Sequence, residues 1–166
     1  MYEYGLQQNT GALQGAFGPG CWRWWGGNAD GSVIALNRWT HVAAGVDGTN
    51  EKHFVNGRFL EQDSCPGALS INDDDFKIGA RGGDGGHSSQ FRGSIDEAML
   101  FGTMLSDADI QAIYEGTFHI PAPAVGADVR TLLSTIPGSL VGYWPLDADA
   151  TDLSGNNLIG TVQAGE

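Results

Sequence analysis

Three tryptophans and an arginine fall in four consecutive positions, Trp22-Arg23-Trp24-Trp25. Aromatic faces are large, rigid and amphipathic, and a sugar ring stacks on them by its apolar face. Arg23 supplies a planar donor for hydroxyls or for a uronate carboxylate. In an extended strand Trp22 and Trp24 point to one side and Trp25 to the other. The competing reading is that one of Trp24 and Trp25 packs in a core which the other covers. Three tryptophans so close together favour exposure of at least one, and the group is the leading candidate for ligand binding.

Hydrolytic chemistry finds less support. Glycoside hydrolysis needs two carboxylates facing one cleft, and no predicted strand presents an alternating pair. Asp96 and Glu97 are adjacent and so face opposite sides of a strand. No Glu-x-Asp-x-x-Glu or Glu-x-Asp-x-Glu pattern, Gly-x-Ser-x-Gly elbow or phosphate loop occurs. The chain is expected not to be an enzyme. The acidic run Asp73-Asp74-Asp75 and the glycine-rich stretch from Arg81 to His87 read as a solvated turn and a loop rather than cation sites. His41 and His53 read as neutral side chains on strand faces.

The elements that must position these residues are short strands. Glycine numbers 26 of 166 residues, and Lys plus Arg total only 8. That composition suits strands joined by Gly and Asp turns in an all-β domain, not long amphipathic helices. The predicted strands are 2–8, 13–17, 32–36, 39–46, 52–55, 58–61, 76–80 and 94–101. Asn56-Gly57 between two of them is the strongest short hairpin signal. The pattern then turns helical. Ser106 is a helix N-cap, with Asp107 and Asp109 in the first turn where the dipole favours acids. Ile110, Ile113 and Tyr114 share one face, and Gly116 ends the helix. Residues 119–138 read as a linker holding a short helix at 128–136. Strands are predicted again near 140–146 and 158–163.

The net charge of −12 excludes nucleic acid and anionic membrane surfaces, which need basic patches. It suits an extracellular protein that meets neutral sugars or cations, and equally serves solubility alone. No apolar run reaches membrane-spanning length. The N-terminus has no signal-peptide pattern, so a secretion signal would lie outside this chain. The two cysteines, Cys21 and Cys65, both sit in Gly/Pro-containing loops. A disulfide between them would contribute about 3–4 kcal/mol by loop entropy; two unpaired thiols are the alternative.

One ordered set of motifs says more. It runs through Leu36-Asn37-Arg38-Trp39-Thr40-His41-Val42-Ala43, Asp47-Gly48-Thr49, Phe54-Val55-Asn56-Gly57 and Lys77-Ile78-Gly79. It closes with Phe91-Arg92-Gly93-Ser94-Ile95-Asp96-Glu97, Leu105-Ser106 and the helix to Tyr114. In that order the pieces resemble the laminin-G-like domains of the concanavalin-A-like lectin/glucanase superfamily. The resemblance implies a jelly-roll β-sandwich of two antiparallel sheets with one or two short helices. It also implies structural roles for Trp39 and Trp144. Leu140-Val141-Gly142-Tyr143-Trp144-Pro145-Leu146-Asp147 and Asp152-Leu153-Ser154-Gly155-Asn156-Asn157 resemble the opening of the same domain, displaced behind its end.

Residues 1–118 are then a laminin-G-like sandwich lacking its usual first strands, and 139–166 a segment that completes this sandwich or a neighbour's. Self-completion is the preferred arrangement. Donation to a second copy, giving a closed dimer or an open filament, comes next. In the domains it resembles, an aspartate at the position of Asp96 helps hold a structural calcium ion with oxygens of the opening segment. That implies Asp96 and Asp152 as ligands, with Asn157 beside them. The expected function is a non-catalytic carbohydrate-binding, lectin-like module of an extracellular or cell-surface protein, whose partner is a glycan or glycoprotein. The alternative is an adhesion, protein-interaction or self-assembly module.

Overall fold

The computed structural model describes residues 2–6, 13–17, 22–25, 34–35, 37–66, 76–83, 86–116 and 140–162. It is an all-β chain with one helix among the described residues. The chain divides into two compact units, Met1–Asn72 with Thr103–His119, and Asp73–Gly102 with Ile120–Glu166.

In the first unit β1 (Tyr2–Leu6), β2 (Leu13–Phe17) and β3 (Trp22–Trp25) form an antiparallel sheet in that order. β4 (Val42–Val46), β5 (Asn50–Val55) and β6 (Arg58–Ser64) form a second. Each residue of the Asn56-Gly57 turn has left-handed φ, 51° and 73°, as a two-residue hairpin loop requires. Phe54, 2% exposed, meets the Phe59 ring edge-on at 5.9 Å. α1 (Asp107–Tyr114) packs against β6. Its cap is a reciprocal box: Asp109 N donates to Ser106 Oγ at 3.2 Å, and Ser106 N donates to Asp109 Oδ2 at 3.3 Å. Lys52 of β5 reaches Asp107 at 3.0 Å, and Leu105 and Ile110 are buried beside them in the chain.

In the second unit β7 (Ala80–Gly83) pairs with β8 (Gly86–Gln90), and β9 (Ala98–Phe101) with β10 (Leu140–Trp144), both antiparallel. The displaced opening segment therefore pairs with a strand of its own chain. A bulge at Val141 lies between the pairs Leu140↔Phe101 and Gly142↔Leu100. Trp144, 6% exposed, stacks on Phe76 at 5.6 Å and lies across its own strand at Gly142. A Cβ there would stand 2.3 Å from the Trp144 ring, so only glycine leaves room.

Several predicted boundaries are corrected. β4 starts at Val42, not at residue 39, because Asn37 in left-handed φ 59° turns the chain just before. Trp39 consequently falls outside the strand and is 71% exposed, not a core residue. Residues 34 and 35 are not in a strand, and neither are 76–79. The 81–87 loop is instead the β7–β8 hairpin, apart from residues 84 and 85, which lie outside the described set. The strand predicted from 94 starts only at Ala98, since Glu97 is left-handed (φ 53°) with its N–H drawn to Pro145 O at 3.3 Å. Over 158–162 there is one isolated bridge, Thr151↔Ile159, rather than a strand. The expected acidic turn at 73–75 and helix at 128–136 lie outside the described residues.

Candidate functional site

The β1–β2–β3 register sorts this sheet into two faces. Tyr2 pairs Phe17, Tyr4 pairs Gly15 and Leu6 pairs Leu13, while Leu13 pairs Trp25 and Gly15 pairs Arg23. By strand alternation these positions share one face, which is apolar but for Arg23. Glu3, Gly5, Gln14, Ala16, Trp22 and Trp24 share the other. In the ladder Trp22 pairs with Ala16, Trp24 with Gln14 and Trp25 with Leu13. The four residues singled out by their spacing are divided, Trp22 and Trp24 on one face, Arg23 and Trp25 on the other.

The β4–β5–β6 sheet carries a polar pairing that sequence reasoning missed. Glu51 and Asp63 are cross-strand partners, as are His53 and Glu61. Glu61 and Asp63 therefore alternate on β6, which corrects the expectation that no strand presents such a pair. The cause is length: β6 runs to Ser64, beyond the predicted end at 61. Glu51 and His53 have no exposed surface at all, whereas their partners Asp63 and Glu61 are half-buried and exposed, respectively. Burial holds the His53 imidazole down to about 4 and keeps it neutral. His41 is lowered by the same cause, but it precedes β4, and its Nδ1 is buried without a hydrogen-bond partner among the described residues. Its ring packs against Tyr114 at 5.8 Å instead.

The residues implied as calcium ligands sit at the β10 loop. Asp152 Oδ1 accepts from Tyr143 N at 3.0 Å and Ser154 N at 2.8 Å. Its Oδ2 accepts from Ser154 Oγ at 2.9 Å and Leu158 N at 3.0 Å. A carboxylate offers about four lone-pair positions, and here three backbone N–H groups take three of them. Burial alone would raise the Asp152 carboxyl, but the N–H groups of Tyr143, Leu158 and Ser154 outweigh it and hold it below the usual range.

The rest of the motif has equally local duties. Asn156 Nδ2 donates to Val141 O at 2.8 Å, and the Ser154 hydroxyl, 3.0 Å from the same carbonyl, has a single proton to place there or on Asp152. The bulged residue, whose carbonyl leaves the ladder, is thus tied down by the loop. Leu153 N donates to Tyr143 O at 2.8 Å and lines the loop along β10. Leu158 N is committed to Asp152, so the backbone there does not extend a ladder.

Asp96 Oδ1 accepts from Glu97 N at 3.1 Å, and Glu97 Oε2 accepts from the Tyr143 hydroxyl at 2.5 Å. Burial first, then the Glu97 hydrogen bond and the charges of Glu97, Asp147 and Asp96, push the Tyr143 phenol upward. Asn157 is exposed, with left-handed φ 56°. Among the described residues no three His, Cys, Asp or Glu side chains form a metal-holding group. A calcium ion at Asp152 would compete with these chain donors.

A substitution tests this assignment. Asp152→Asn keeps the volume but sets an amide nitrogen against the Leu158 and Ser154 donors. It is expected to cost about 2 kcal/mol in thermal or urea unfolding. Wild-type melts in calcium and in chelator are expected to superimpose. A calcium-dependent rise in melting temperature would show that the ion does take these oxygens.

Cys65 is buried and disulfide-bonded. Cys21 lies outside the described residues. Among the described residues no helix is long and apolar enough to cross a membrane.

Comparison with known proteins agrees with the strand content. The laminin G family model described as "Concanavalin A-like lectin/glucanases superfamily" matches residues 3–111. Comparison with curated proteins yields no match. Among solved structures the chain is similar to an S-layer domain-containing protein (residues 221–444) from Clostridium thermocellum ATCC 27405. That similarity has 22% identity and a TM-score of 0.43, and covers 51% of this chain and 42% of that one. The family match spans most of the chain, including the β4–β5–β6 hairpins and the start of the capped helix, and the protein belongs to the laminin-G-like family of the concanavalin A-like superfamily.

Proposed function

We propose that the protein is a non-catalytic carbohydrate-binding module in which Trp22 and Trp24 form the sugar-stacking platform. The observation that carries this is the register of β1–β2–β3. Trp22 and Trp24 are alternate positions of β3 and pair with Ala16 and Gln14 of β2, which supports reading them as one platform. Trp25 pairs with Leu13, and Leu13 in turn with Leu6, an apolar run of positions that supports a structural role for Trp25. Arg23 shares the Trp25 face and is therefore left out of the platform.

The two-sheet jelly-roll sandwich is proposed from family membership. The 139–166 segment is proposed to complete this chain's own fold, supported by the pairing of β10 with β9. The alternative is adhesion, protein interaction or self-assembly, with the same segment donated to a homodimer or filament. Cys21 is proposed as the partner of Cys65, being the chain's other cysteine. A disulfide supports an extracellular or cell-surface setting. Calcium at Asp96, Asp152 and Asn157 is not carried into this reading, because the Asp152 oxygens are already committed.

The test is a glycan array probed with the wild-type chain and with the Trp22→Ala/Trp24→Ala variant. The variant is expected to keep its melting temperature within a few degrees and to lose binding about tenfold or more. Binding unchanged in a folded variant would remove the platform from these residues.

A further inference from the structure

We propose that residues 152–156 form a strap over the outer edge of β10, and that this edge pairs with β10 of a second copy of the chain when the strap opens. β10 stays paired with β9 of its own chain throughout, so no segment is exchanged.

A strand edge presents a row of main-chain N–H and C=O groups that can template another strand. On β10 the loop takes these groups one by one. Tyr143 N donates to Asp152 Oδ1 at 3.0 Å, and Tyr143 O accepts from Leu153 N at 2.8 Å. Both main-chain groups of Tyr143 are thereby met as in a ladder, with a carboxylate in place of one carbonyl. Val141 O and Leu140 O accept from Asn156 Nδ2 at 2.8 and 3.2 Å. Among the described residues no second strand pairs with β10, whose sheet is the pair β10–β9.

The strap is held by polar contacts. Leu158 N donates to Asp152 Oδ2 at 3.0 Å, and Thr151 bridges to Ile159. Leu153 and Leu158 are each 37% exposed and Ile159 is 96% exposed, so apolar burial adds little to its attachment. Segments with few buried apolar contacts open at the low end of a protein's range of local stabilities. Opening leaves the groups of Leu140, Val141 and Tyr143 without their chain partners, and a strand is the partner that satisfies such a row together.

Charge selects this edge for contact between copies. The chain carries −12, and residues 93–116 and 140–162 hold no Lys or Arg, so most approaches of two copies set like charges together. Leu140–Trp144 carries no charge, and two β10 edges meet without that repulsion. Val141, Tyr143 and Trp144 are strand-favouring residues. Antiparallel pairing of one edge with its own copy is self-complementary and closes as a twofold dimer.

The test compares wild type with Asp152→Ala/Asn156→Ala by light scattering over a wide range of protein concentration. Melting curves show that each is folded, and amide hydrogen exchange is followed at Tyr143. Wild type is expected to stay monomeric with the Tyr143 amide protected. The variant is expected to rise about twofold in mass with concentration, with Tyr143 protected in the dimer and exchanging faster on dilution. A folded variant that stays monomeric at the highest concentration would overturn the proposal. So would a wild type that is already a dimer, or a variant dimer in which Tyr143 exchanges as fast as in the diluted monomer. Should the double variant fail to fold, Asp152→Asn/Asn156→Ala keeps a side-chain acceptor at 152 and is read by the same measurements, with the same expected and overturning results.

Discussion

Trp144→Ala is expected to lower stability by about 3–5 kcal/mol, the range for truncating a buried aromatic. The indole is 6% exposed, is stacked on Phe76, and fills the space left by Gly142 on its own strand. Removing it leaves a cavity whose walls belong to a strand already interrupted by the Val141 bulge. For a chain of this size that corresponds to a melting-temperature drop on the order of 10 °C. Phe76→Ala is the control: Phe76 is 63% exposed, and its loss is expected to cost about 1 kcal/mol. Equal losses for the two variants would mean that the stack, rather than the burial of Trp144, supplies the stability. Gly142→Ala is expected to resemble Trp144→Ala, since the added methyl and the ring cannot share that space.

The second large effect is acid destabilisation through His53. The buried imidazole has a folded-state value of about 4 against an ordinary 6.5, so between those values the unfolded chain takes up a proton that the folded one refuses. Stability is therefore full above pH 6.5 and falls as pH drops to about 4, where the folded state also protonates. At 1.36 kcal/mol per unit, the loss across that window is about 3 kcal/mol. His41, lowered by the same burial, adds in the same direction. Asp152, held below the usual carboxylate range, contributes its loss at lower pH still. His53→Gln removes the imidazole while keeping polar atoms beside Glu51 and Glu61. Urea unfolding at a series of pH values between 7 and 4 is expected to show a flatter slope for the variant than for the wild type. Parallel slopes would show that His53 is protonated as easily folded as unfolded.

Local chemistry was legible in the sequence wherever neighbouring residues decide the structure. Asn56-Gly57 fixed its hairpin, and Ser106 with Asp109 fixed a helix start, because each signal acts within a few residues. The division of Trp22 and Trp24 from Trp25 follows from alternation alone, but their partners across β2 and β1 needed the sheet register. What the sequence concealed depends on distant partners. Glu97 leaves the strand pattern because Pro145 and Tyr143 engage it from a segment more than forty residues away. Asp152-Leu153-Ser154-Gly155-Asn156 has oxygen-rich chemistry that suits calcium on paper. Its partners prove to be the backbone groups of β10 and Leu158. Trp39 was misjudged because the strand it was assigned to begins three residues later.

The measurement that bears most directly on the account is the glycan array with wild-type protein, run in calcium and repeated in chelator. Selective binding to a subset of glycans, unchanged by chelator and lost in the Trp22→Ala/Trp24→Ala variant, is expected. Silence across a broad array from folded protein would contradict a carbohydrate-binding role.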